Sequence, residues 1–387
     1  MSTFAAEKPV LVVGAGPGGL CAAAALHRRG IPVHVLEQAD ELRTAGAGLT
    51  IQINAMRMLE SLGLDRAVAR AGATLETAKV CRADGSALQV MDLVAVAARF
   101  GQPAIALHRR ALSQILASAL PADAIEFGVA VGSVEQDQHG VTVGLVDGRA
   151  LHGCAVIGAD GIHSAVRRAV FEPVDVRYAG YMCWRGIAPV PTGLPEGHAI
   201  SFWGAGKRFG LVPIGDEQTY WFATANLAPN GHDGADPRAE LLERYAEFCA
   251  PVRAVLRATP NSAILRHDIS DLPPVARWVD GRVALLGDAA HAMTPNMGQG
   301  ACQAIEDAVV LGACLSRDPD VPAALRAYEA QRRPRATAFA QRSRRLGKIG
   351  QWKGRFAQAV RSMIIRSTSA ATLERSVTEM YGVEVPC

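Results

Sequence analysis

The feature that most constrains the fold of this chain is a glycine-rich turn close to the beginning of the sequence. Residues 14–19 read GAGPGG and match the pattern G-x-G-x-x-G. A β-branched apolar run at residues 10–13 precedes the turn and predicts a strand. The Ala-rich residues 20–29 predict a helix that ends at Gly30, and residues 33–36 predict the next strand. This order of strand, turn, helix and strand predicts a doubly wound α/β domain.

The glycine turn and an acidic residue after it together predict a dinucleotide site. Gly14, Gly16 and Gly19 lack side chains, so backbone amides can approach a pyrophosphate at the helix N-terminus. Glu37 closes the second strand, about twenty residues further on, where a carboxylate accepts hydrogen bonds from ribose hydroxyls. An ordinary glycine turn followed by a solvated glutamate is the alternative, but the register of strand, turn, helix and acid favours the dinucleotide. Both FAD and NAD remain open at this point.

Two later turns also follow predicted strands and carry an acidic residue. Asp160 lies in the segment IGADGIHSAVR at residues 157–167. Its carboxylate could approach a phosphate-rich ligand, although the segment by itself is also typical of a plain turn. Asp288 lies in the segment LLGDAAH at residues 285–291, after an apolar run, and could hold ribitol hydroxyls.

A helix start follows the second of these turns. Residues 294–300 read TPNMGQG and lead into a helix beginning near Ala301. The free amides and positive end of this helix would face a ligand beyond Pro295 and would stabilise the negative charge of a reduced flavin. Glu306 and Asp307 lie inside the helix and are expected to be packing or capping partners rather than catalysts.

The pattern of the sequence changes between residues 178 and 225, where strand-like segments are separated by Gly, Pro and Asp turns. An antiparallel sheet in a second domain is predicted from the segments 187–190, 200–203, 209–214 and 220–225. A helical stretch around residues 239–257 follows, and a parallel-type strand at residues 282–287 returns the chain to the first domain. The first domain is therefore predicted to be discontinuous. A basic helix with an apolar stripe is predicted at residues 344–366.

Composition and charge argue against several classes of function. The chain has 40 Lys and Arg against 37 Asp and Glu, and a formal charge of +3 is too small to indicate nucleic acid as a partner. The 8 cysteines are scattered without a C-x-x-C pair or a zinc-ligand spacing, so no metal site is predicted and a reducing cytoplasm is expected. The first residues predict neither a signal peptide nor a membrane-spanning helix, and membrane contact is not expected.

The three turns together resemble those of the flavoprotein aromatic hydroxylases with the para-hydroxybenzoate hydroxylase fold. The resemblance rests on residues 14–19, Asp160-Gly161 and Gly287-Asp288, in that order, and extends over nearly the whole chain. It implies a discontinuous Rossmann-like FAD-binding domain of α/β class, an inserted substrate domain with a mixed or antiparallel sheet, and a C-terminal helical segment. The predicted boundaries are 1–75, 100–177 and 272–343 for the FAD-binding domain, 76–99 and 178–271 for the substrate domain, and 344–387 for the C-terminal helices.

The same resemblance implies how FAD is bound. Glu37 would contact the adenosine ribose, Arg109 the pyrophosphate and Asp288 the ribityl chain. The isoalloxazine ring would lie against residues 295–300, with the GAGL segment at residues 46–49 on its other side. The residues predicted to bind the cofactor are Gly14, Gly16, Gly19, Glu37, Arg109, Asp160, Asp288, Gly298, Gly300 and Ala301. Thr50 and Gln52 are expected beside the substrate, and Pro295 at the reacting ring.

Within this family, two groups of enzymes share features with the chain. The segment GAGKR at residues 204–208 and the strand with Tyr220 resemble the urate hydroxylases, which implies that Arg208 and Tyr220 contact the substrate. A solvated cation and a sheet aromatic are the alternatives for these two residues. Trp184-Arg185 and the segment GQW at residues 350–352 resemble the alkylquinolone hydroxylases instead. Thr50 stands where several phenol and hydroxypyridine hydroxylases have a histidine base, which argues against a salicylate-like or nicotinate-like substrate.

The resemblance implies that NADH or NADPH reduces FAD, that O2 adds at flavin C4a, and that the hydroperoxide hydroxylates a small aromatic or heteroaromatic molecule. No second G-x-G-x-x-G segment is evident, so the nicotinamide would bind transiently. His163 and His291 are more simply structural groups than general bases. The alternatives are a flavin dehydrogenase or reductase without oxygen insertion, and a non-catalytic flavin protein that docks through its basic helix. A monomer or homodimer is expected.

Overall fold

The computed structural model describes residues 8–42, 47–189 and 195–386. Within these ranges the chain forms nineteen strands, which are β1 (Val10–Val13), β2 (Val33–Leu36), β3 (Gly48–Ile51), β4 (Gly72–Leu75), β5 (Thr77–Arg82), β6 (Ala87–Asp92), β7 (Ala104–His108), β8 (Ile125–Glu126), β9 (Val131–Gln136), β10 (Val141–Leu145), β11 (Ala150–Gly153), β12 (Ala155–Gly158), β13 (Arg177–Ala188), β14 (His198–Trp203), β15 (Lys207–Pro213), β16 (Thr219–Ala225), β17 (Leu265–Asp271), β18 (Val279–Asp280) and β19 (Val283–Leu285).

The same ranges contain thirteen α-helices, which are α1 (Pro17–His27), α2 (Ile53–Ser61), α3 (Asp65–Arg70), α4 (Leu93–Phe100), α5 (Arg109–Ala117), α6 (Ala165–Val170), α7 (Pro237–Arg244), α8 (Ala250–Ala258), α9 (Asp288–His291), α10 (Gly300–Arg317), α11 (Val321–Gly350), α12 (Arg355–Arg366) and α13 (Ala370–Tyr381). Among these elements, no helix has both the length and the apolar character that crossing a membrane requires.

A mostly parallel sheet forms the centre of the first domain, with the strand order β18-β19-β12-β1-β2-β8. Strand β1 lies in the middle of the sheet, and all four of its residues are buried. This burial explains its continuous apolar sequence, because a parallel strand covered on both faces has no solvent side to carry polar residues. Helices α1 and α10 pack against each other within the same core. The predicted α/β fold is confirmed.

Helix α1 differs from its prediction, because it begins at Pro17 and ends at His27 rather than running from residue 20 to residue 29. The helix therefore starts inside the glycine turn. Proline is favoured in the first turn of a helix, where its missing amide hydrogen would have no intrahelical partner in any case. The positive end of α1 consequently lies directly at the turn, where a pyrophosphate would bind.

The second large sheet has seven strands in the order β17-β13-β16-β15-β14-β5-β6. All neighbours are antiparallel except β14 and β5, which run parallel. One face of this sheet is covered by α7 and α8, where Phe209 stacks on Trp221 and contacts Tyr245 edge-on. The opposite face carries the alternate residues of each strand and is turned toward the first domain, as the hydrogen bond between Tyr181 and Asn296 shows.

The chain passes between the two sheets at neighbouring positions. Strand β13 enters the large sheet at Arg177, and β17 leaves it at Asp271, the residue paired with Arg177 in the strand register. Because both crossings lie side by side, the segment between them is an insertion into the first domain. Strands β5 and β6, from an earlier part of the chain, complete the same sheet.

Two helix predictions were wrong in their extent. The stretch predicted around residues 239–257 consists of two helices, α7 and α8, and Pro251 lies in the first turn of the second. The helix predicted at residues 344–366 is divided after Gly350, so that its first part is the end of the 30-residue helix α11 and its second part is α12. The division follows from tertiary contacts, because Gln351 binds Thr224 and the carbonyl of Trp352 accepts from the amide of Gly206.

Candidate active site

The glycine turn after β1 has the close backbone contacts that a dinucleotide site requires. Gly14 has a φ of +104°, and a Cβ atom there would lie 2.7 Å from the carbonyl oxygen of Ala159. The glycine turn therefore packs directly on the loop that contains Asp160. At Gly16, by contrast, a Cβ atom would have nothing within 4 Å. The side of the turn at Gly16 is therefore open, and its amides can approach a phosphate group.

Glu37 lies beside this turn and is held by two backbone amides. Its Oε2 accepts from the amide of Ala15 at 2.7 Å, and its Oε1 accepts from the amide of Ala39 at 2.9 Å. Each carboxylate oxygen has a second lone pair. Glu37 is thus placed and oriented at the turn, with capacity left for ribose hydroxyls.

Asp160 has its contacts within its own loop. The carboxylate accepts from the hydroxyl of Ser164 at 2.5 Å and from the amide of Ala165 at 2.6 Å, at the start of α6. The direct role of this residue in binding a cofactor stays a prediction, since these contacts stabilise the helix start. Arg167, which the sequence did not single out, donates to the carbonyl of Ala289 at 2.7 Å and ties this loop to α9. Its position at the end of the segment IGADGIHSAVR, close to Asp160, is the sequence feature that could have indicated this role.

Asp288 is the first residue of α9 and is exposed. Gly287 before it has a φ of +61°, a conformation that favours glycine, and its amide donates to Asp307 at 3.1 Å. In the described part of the chain, the carboxylate of Asp288 has no hydrogen-bond partner. It is therefore available to a polyhydroxyl ligand.

The loop between α9 and α10 contains the short 3-10 turn Pro295–Met297 and then Gly298, which has a φ of +62°. Gln52 donates to the carbonyl of Met297 at 2.7 Å and accepts from Gln299 at 2.8 Å. Gln52, which we predicted beside the substrate, is thus bound to this loop. Thr50 lies in β3, and its carbonyl is 3.7 Å from the sulfur of Cys302 in α10. Gly46 lies outside the described residues.

The N-terminus of α10 is free of side-chain capping. No side chain accepts a hydrogen bond from the first amides of this described helix, which begins at Gly300 with Ala301 next. The orphan amides and the positive end of an 18-residue helix therefore point past Gly298. Such a terminus stabilises negative charge on whatever ligand lies against the loop.

Behind this terminus, α10 carries a buried group of charges. Glu306 and Asp307 are both fully buried and pair with Arg332 of α11 at 2.5 Å and 2.8 Å. Asp307 also accepts from His291 at 2.6 Å. Burial raises the pKa of Glu306 and Asp307, but their basic partners outweigh it and hold the pKa of each below its ordinary value. This geometry agrees with the expectation that the two acids are packing partners. The sequence analysis did not identify Arg332 as their partner.

The sheet face turned toward this loop carries Arg208 and Tyr220 on neighbouring strands. Arg208 is paired in register with Thr224, and Tyr220 lies four residues further along that strand, about 13 Å away at the usual rise. Tyr220 packs on β3, where a Cβ atom at Gly48 would lie 2.5 Å from its side chain. Burial raises the pKa of the Tyr220 hydroxyl to about 12, so the hydroxyl stays protonated.

Arg208 is almost completely buried, so the alternative of a solvated cation was wrong. Its guanidinium donates to the side-chain oxygen of Asn296 and lies 5.5 Å from the ring centre of Trp203 and 5.9 Å from that of Tyr181. Burial lowers its pKa, and Tyr181 acts in the opposite direction. Arg208 therefore connects the large sheet to the loop at Pro295.

Arg185 lies on the same face, between the positions of Arg208 and Tyr220. Its Nε is buried without a hydrogen-bond partner, and no carboxylate in the described part of the chain pairs with it. The pKa of Arg185 is raised by Cys183, against the effect of burial, and further by Tyr220. A half-buried cation with a buried, unsatisfied Nε and no counter-carboxylate among the described residues is suited to an electronegative ligand atom. Sequence reasoning noted Trp184-Arg185 but did not place Arg185 in the site.

Arg109 begins α5 directly after β7. Burial lowers the pKa of His267 on the large sheet, and the positive charges of Arg185 and Arg109 lower it further. Arg109 is thus close enough to the sheet face to act on His267. Its predicted contact with a pyrophosphate stays a prediction.

Comparison with known proteins assigns the chain to a family. Residues 7–343 match the family described as FAD binding domain, which covers most of the chain. The chain belongs to this FAD-binding family.

Similar proteins give this flavoprotein a class of reaction. It is 44% identical over 361 residues to the aurachin C monooxygenase/isomerase of Stigmatella aurantiaca, covering 93% of this chain and 94% of that protein. It is 36% identical over 342 residues to an FAD-dependent urate hydroxylase of Klebsiella pneumoniae, covering 87% and 88%. It is 34% identical over 374 residues to the 2-heptyl-3-hydroxy-4(1H)-quinolone synthase of Pseudomonas aeruginosa, covering 95% and 96%. This flavoprotein is an FAD-dependent aromatic monooxygenase.

The fold of the monooxygenase agrees with this assignment. Klebsiella pneumoniae HpxO, solved with FAD and uric acid, superposes with a TM-score of 0.89 at 33% sequence identity, covering 97% of this chain and 96% of that one. A salicylate hydroxylase in complex with substrate superposes with a TM-score of 0.80 at 22% identity, which shows the shared fold.

The residues of the monooxygenase fit FAD. The open side of the turn at Gly16 has room for a pyrophosphate, and Glu37 stands beside it for the adenosine ribose. The unpaired carboxylate of Asp288 is suited to ribityl hydroxyls, and the uncapped N-terminus of α10 to the anionic edge of a reduced ring. Gly298 and Gly300 have no side chains that would keep the loop backbone from approaching that edge, and their role in binding the cofactor stays a prediction.

Proposed function

We propose that this monooxygenase uses NADH or NADPH and O2 to hydroxylate a bicyclic nitrogen heteroaromatic ring that carries a carbonyl oxygen, with 4-quinolones as the favoured class. The observation that carries the proposal is the half-buried guanidinium of Arg185, whose Nε is buried without a hydrogen-bond partner and which pairs with no carboxylate in the described chain, on the sheet face that meets the loop at Pro295. A cation in such surroundings requires an electronegative partner, which a ring carbonyl or its enolate supplies.

Tyr220 supports recognition of the same ring oxygen. Its hydroxyl is protonated over the whole physiological pH range, because burial raises its pKa to about 12. It can therefore donate a hydrogen bond to the substrate. Arg185 and Tyr220 lie close enough to influence each other's pKa, so both can act on one oxygen atom or on neighbouring atoms.

The distribution of apolar residues favours a quinolone over urate. Around Tyr220, the sheet face carries Ile187, Val212 and Ile214, which belong to one apolar cluster. Urate has polar atoms around its whole edge and would leave these side chains without apolar contact. A quinolone with an alkyl substituent can direct its carbonyl to Arg185 and its substituent to the apolar cluster. The aurachin and heptylquinolone enzymes among the similar proteins agree with this choice.

Bound FAD supplies the oxidative chemistry, because a reduced flavin activates O2 for transfer of one oxygen atom to an electron-rich ring. The chain has three tasks around it. The N-terminus of α10 stabilises negative charge at the edge of the ring system. Asn296, held by Tyr181 and Arg208, keeps the loop at Pro295 in place. The two sheets would shield the reacting atoms of bound FAD and substrate from water.

The deciding experiment is turnover by the purified holoenzyme with a 2-alkyl-4(1H)-quinolone, urate or a simple phenol, each with NADH and with NADPH. We expect the quinolone to accelerate nicotinamide oxidation most, and the product to gain one oxygen atom, labelled when 18O2 is used. If all consumed O2 appears as hydrogen peroxide, the chain is a reductase without oxygen insertion and the proposal is wrong.

Urate is the second candidate substrate, because Arg208 and Tyr220 both lie on the face toward the loop and HpxO shares the fold. Hydroxylation of urate with no reaction of the quinolone would decide for this candidate. It would also contradict the role given to the apolar cluster around Tyr220.

A further inference from the structure

A second cavity lies at the junction of the two domains, outside the site described above. It has a volume of about 270 Å³ and is bounded by the end of β17, residues 272–275, α9 and the second half of α11. Its wall carries four cationic side chains and one carboxylate, which are Arg177, Arg344, Arg345, Lys348 and Asp271. We refer to this cavity as the junction pocket.

The charges of the junction pocket do not balance. Asp271 is buried and binds both Arg177 and Arg344, at 3.2 Å and 2.6 Å, so one carboxylate serves two guanidinium groups. Arg345 and Lys348 are exposed at the same wall, and neither forms an ion pair with any residue in the described part of the chain. Four cations against one anion leave an excess of positive charge that suits a ligand with more than one negative charge.

His291 adds a buried polar atom to the same wall. It is only 5% exposed and lines the pocket, and its Nε2 is held by Asp307 at 2.6 Å. Its Nδ1 is buried and has no hydrogen-bond partner among the described residues. A buried ring nitrogen without a partner is unfavourable unless a ligand supplies one. Arginines fork onto phosphate oxygens, and lysine binds them as a point charge, so the donor set fits phosphate.

The pocket is adjacent to the flavin-binding turn. His291 and Asp288 are the two ends of the same four-residue helix α9, about 4.5 Å apart along its axis. A ligand whose phosphates occupy the pocket could therefore extend toward the flavin. In this sequence no second G-x-G-x-x-G segment offers phosphates another glycine turn.

We propose that the junction pocket binds the phosphate groups of the reduced nicotinamide dinucleotide. This inference rests on the proposed function, since it assigns a site to the electron donor of that reaction. The excess cations of α11 attract the diphosphate, and the Nδ1 lone pair of His291 at the inner wall can accept from a ribose hydroxyl of the same dinucleotide. The nicotinamide end then reaches the flavin past α9.

The test reverses the two unpaired charges of the pocket in the holoenzyme. The variant R345E/K348E changes exposed side chains that have no ion-pair partner in the described chain, so the fold is retained. R326E, an exposed arginine of the same helix outside the pocket, is the matched control. In stopped-flow reduction of the bound FAD, we expect the apparent Kd for NADH or NADPH to rise about tenfold, with the limiting rate and the FAD content unchanged. An unchanged Kd in the double variant, or an equal rise in R326E, would contradict the proposal.

Inorganic pyrophosphate separates this inference from the proposed function. We expect calorimetry to detect its binding to the wild-type holoenzyme and not to R345E/K348E, and NADP+ to compete with it. These measurements require no turnover, so they hold even if no quinolone is hydroxylated. Pyrophosphate that binds without competition from NADP+ would identify a free-anion site and overturn the assignment to the dinucleotide. Absence of pyrophosphate binding would overturn the phosphate site itself.

Discussion

At the scale of single residues, two arginines on one sheet face have different roles. Arg208 donates to Asn296 and is enclosed by the rings of Trp203 and Tyr181, so one end of its guanidinium is bound to the loop, although its Nε has no hydrogen-bond partner among the described residues. Arg185 has no carboxylate partner among the described residues, and its Nε is unsatisfied. The sequence alone does not distinguish these two arginines, because both lie in strands of the same sheet. Their contacts assign Arg208 to the positioning of the loop and leave Arg185 for the substrate.

Replacing Arg185 therefore has a specific expected outcome. Arg185→Met should weaken quinolone binding by about ten- to a hundredfold, because a hydrogen bond from a charged donor is lost. The FAD content should not change, since no residue proposed to hold FAD binds Arg185. Titration of the oxidised flavin spectrum with the quinolone measures the effect. Arg185→Lys is the control, because it keeps the charge and loses the fork, and should give an intermediate affinity. Wild-type affinity in Arg185→Met would refute the role of Arg185.

At the scale of the elements, helix α10 is the centre of the proposed flavin site. Its N-terminus meets the loop at Gly298, and its middle carries the buried pair Glu306 and Asp307. Arg332 of α11 binds both acids, while His291 connects Asp307 to α9. The network therefore connects α9 to α10, the two helices that we propose to contact the flavin. A break in it should affect stability and flavin binding together.

Arg332→Met tests this network. The substitution removes the cation that Glu306 and Asp307 share. Removing one member of a buried ion pair costs about 3–5 kcal/mol of unfolding free energy. Urea unfolding of the holoenzyme measures the loss. Arg326→Met is the matched control, because Arg326 of the same helix is exposed and forms no ion pair in the described chain, so its change should stay within about 0.5 kcal/mol. Equal stability of both variants would show that the network is dispensable.

The same network predicts sensitivity to acid. The pKa values of Glu306 and Asp307 lie below their ordinary values of 4.5 and 3.8, despite burial, because their basic partners favour the charged forms. The unfolded chain therefore binds more protons, and the contribution of these acids is fully present above about pH 4.5. It is lost as the pH falls through the depressed values of the folded state. The melting temperature of Arg332→Met should consequently fall less between pH 5 and about pH 3 than that of the wild type, and a parallel fall would contradict the assignment.

At the scale of the whole molecule, the flavin site joins parts of the chain that are far apart in sequence. The turn at Gly16 comes from the first segment of the domain, and Asp288 comes from the segment that follows the inserted sheet. A ligand that contacts both stabilises the discontinuous domain as a unit, because it binds only when the segments are assembled. FAD is long enough to do so, whereas riboflavin lacks the diphosphate and adenosine.

FAD and riboflavin should therefore protect the apoprotein differently. At a concentration one hundred times its Kd, FAD should add about 2.7 kcal/mol to the unfolding free energy. Riboflavin at the same concentration should add much less, because it reaches Asp288 but not Glu37. Thermal melting of the apoprotein with each ligand measures both effects. Equal protection by the two ligands would show that the glycine turn contributes nothing to binding.

Much of the proposed flavin site was already indicated by the sequence, although the contacts of its residues with FAD stay predictions. The glycine turn, Glu37 and Gly287-Asp288 are read from short segments, because each needs a local backbone conformation that few residues allow. The family resemblance that these segments carry is confirmed by the match over residues 7–343. Element bounds were less predictable, since α1 starts three residues early and the predicted C-terminal helix is divided after Gly350.

What the sequence by itself determined is thus the class of the fold and the FAD-binding family, because local patterns of strand, glycine and acid are sufficient for both. Only the tertiary structure decided the roles of single charges. Arg185 has no carboxylate partner among the described residues, Arg332 is bound to two acids of another helix, and Asp160 binds the start of α6. The junction pocket likewise combines Arg177 with residues of α11 far along the chain. A charged side chain looks the same in any sequence, and its function depends on which partners long-range packing brings to it.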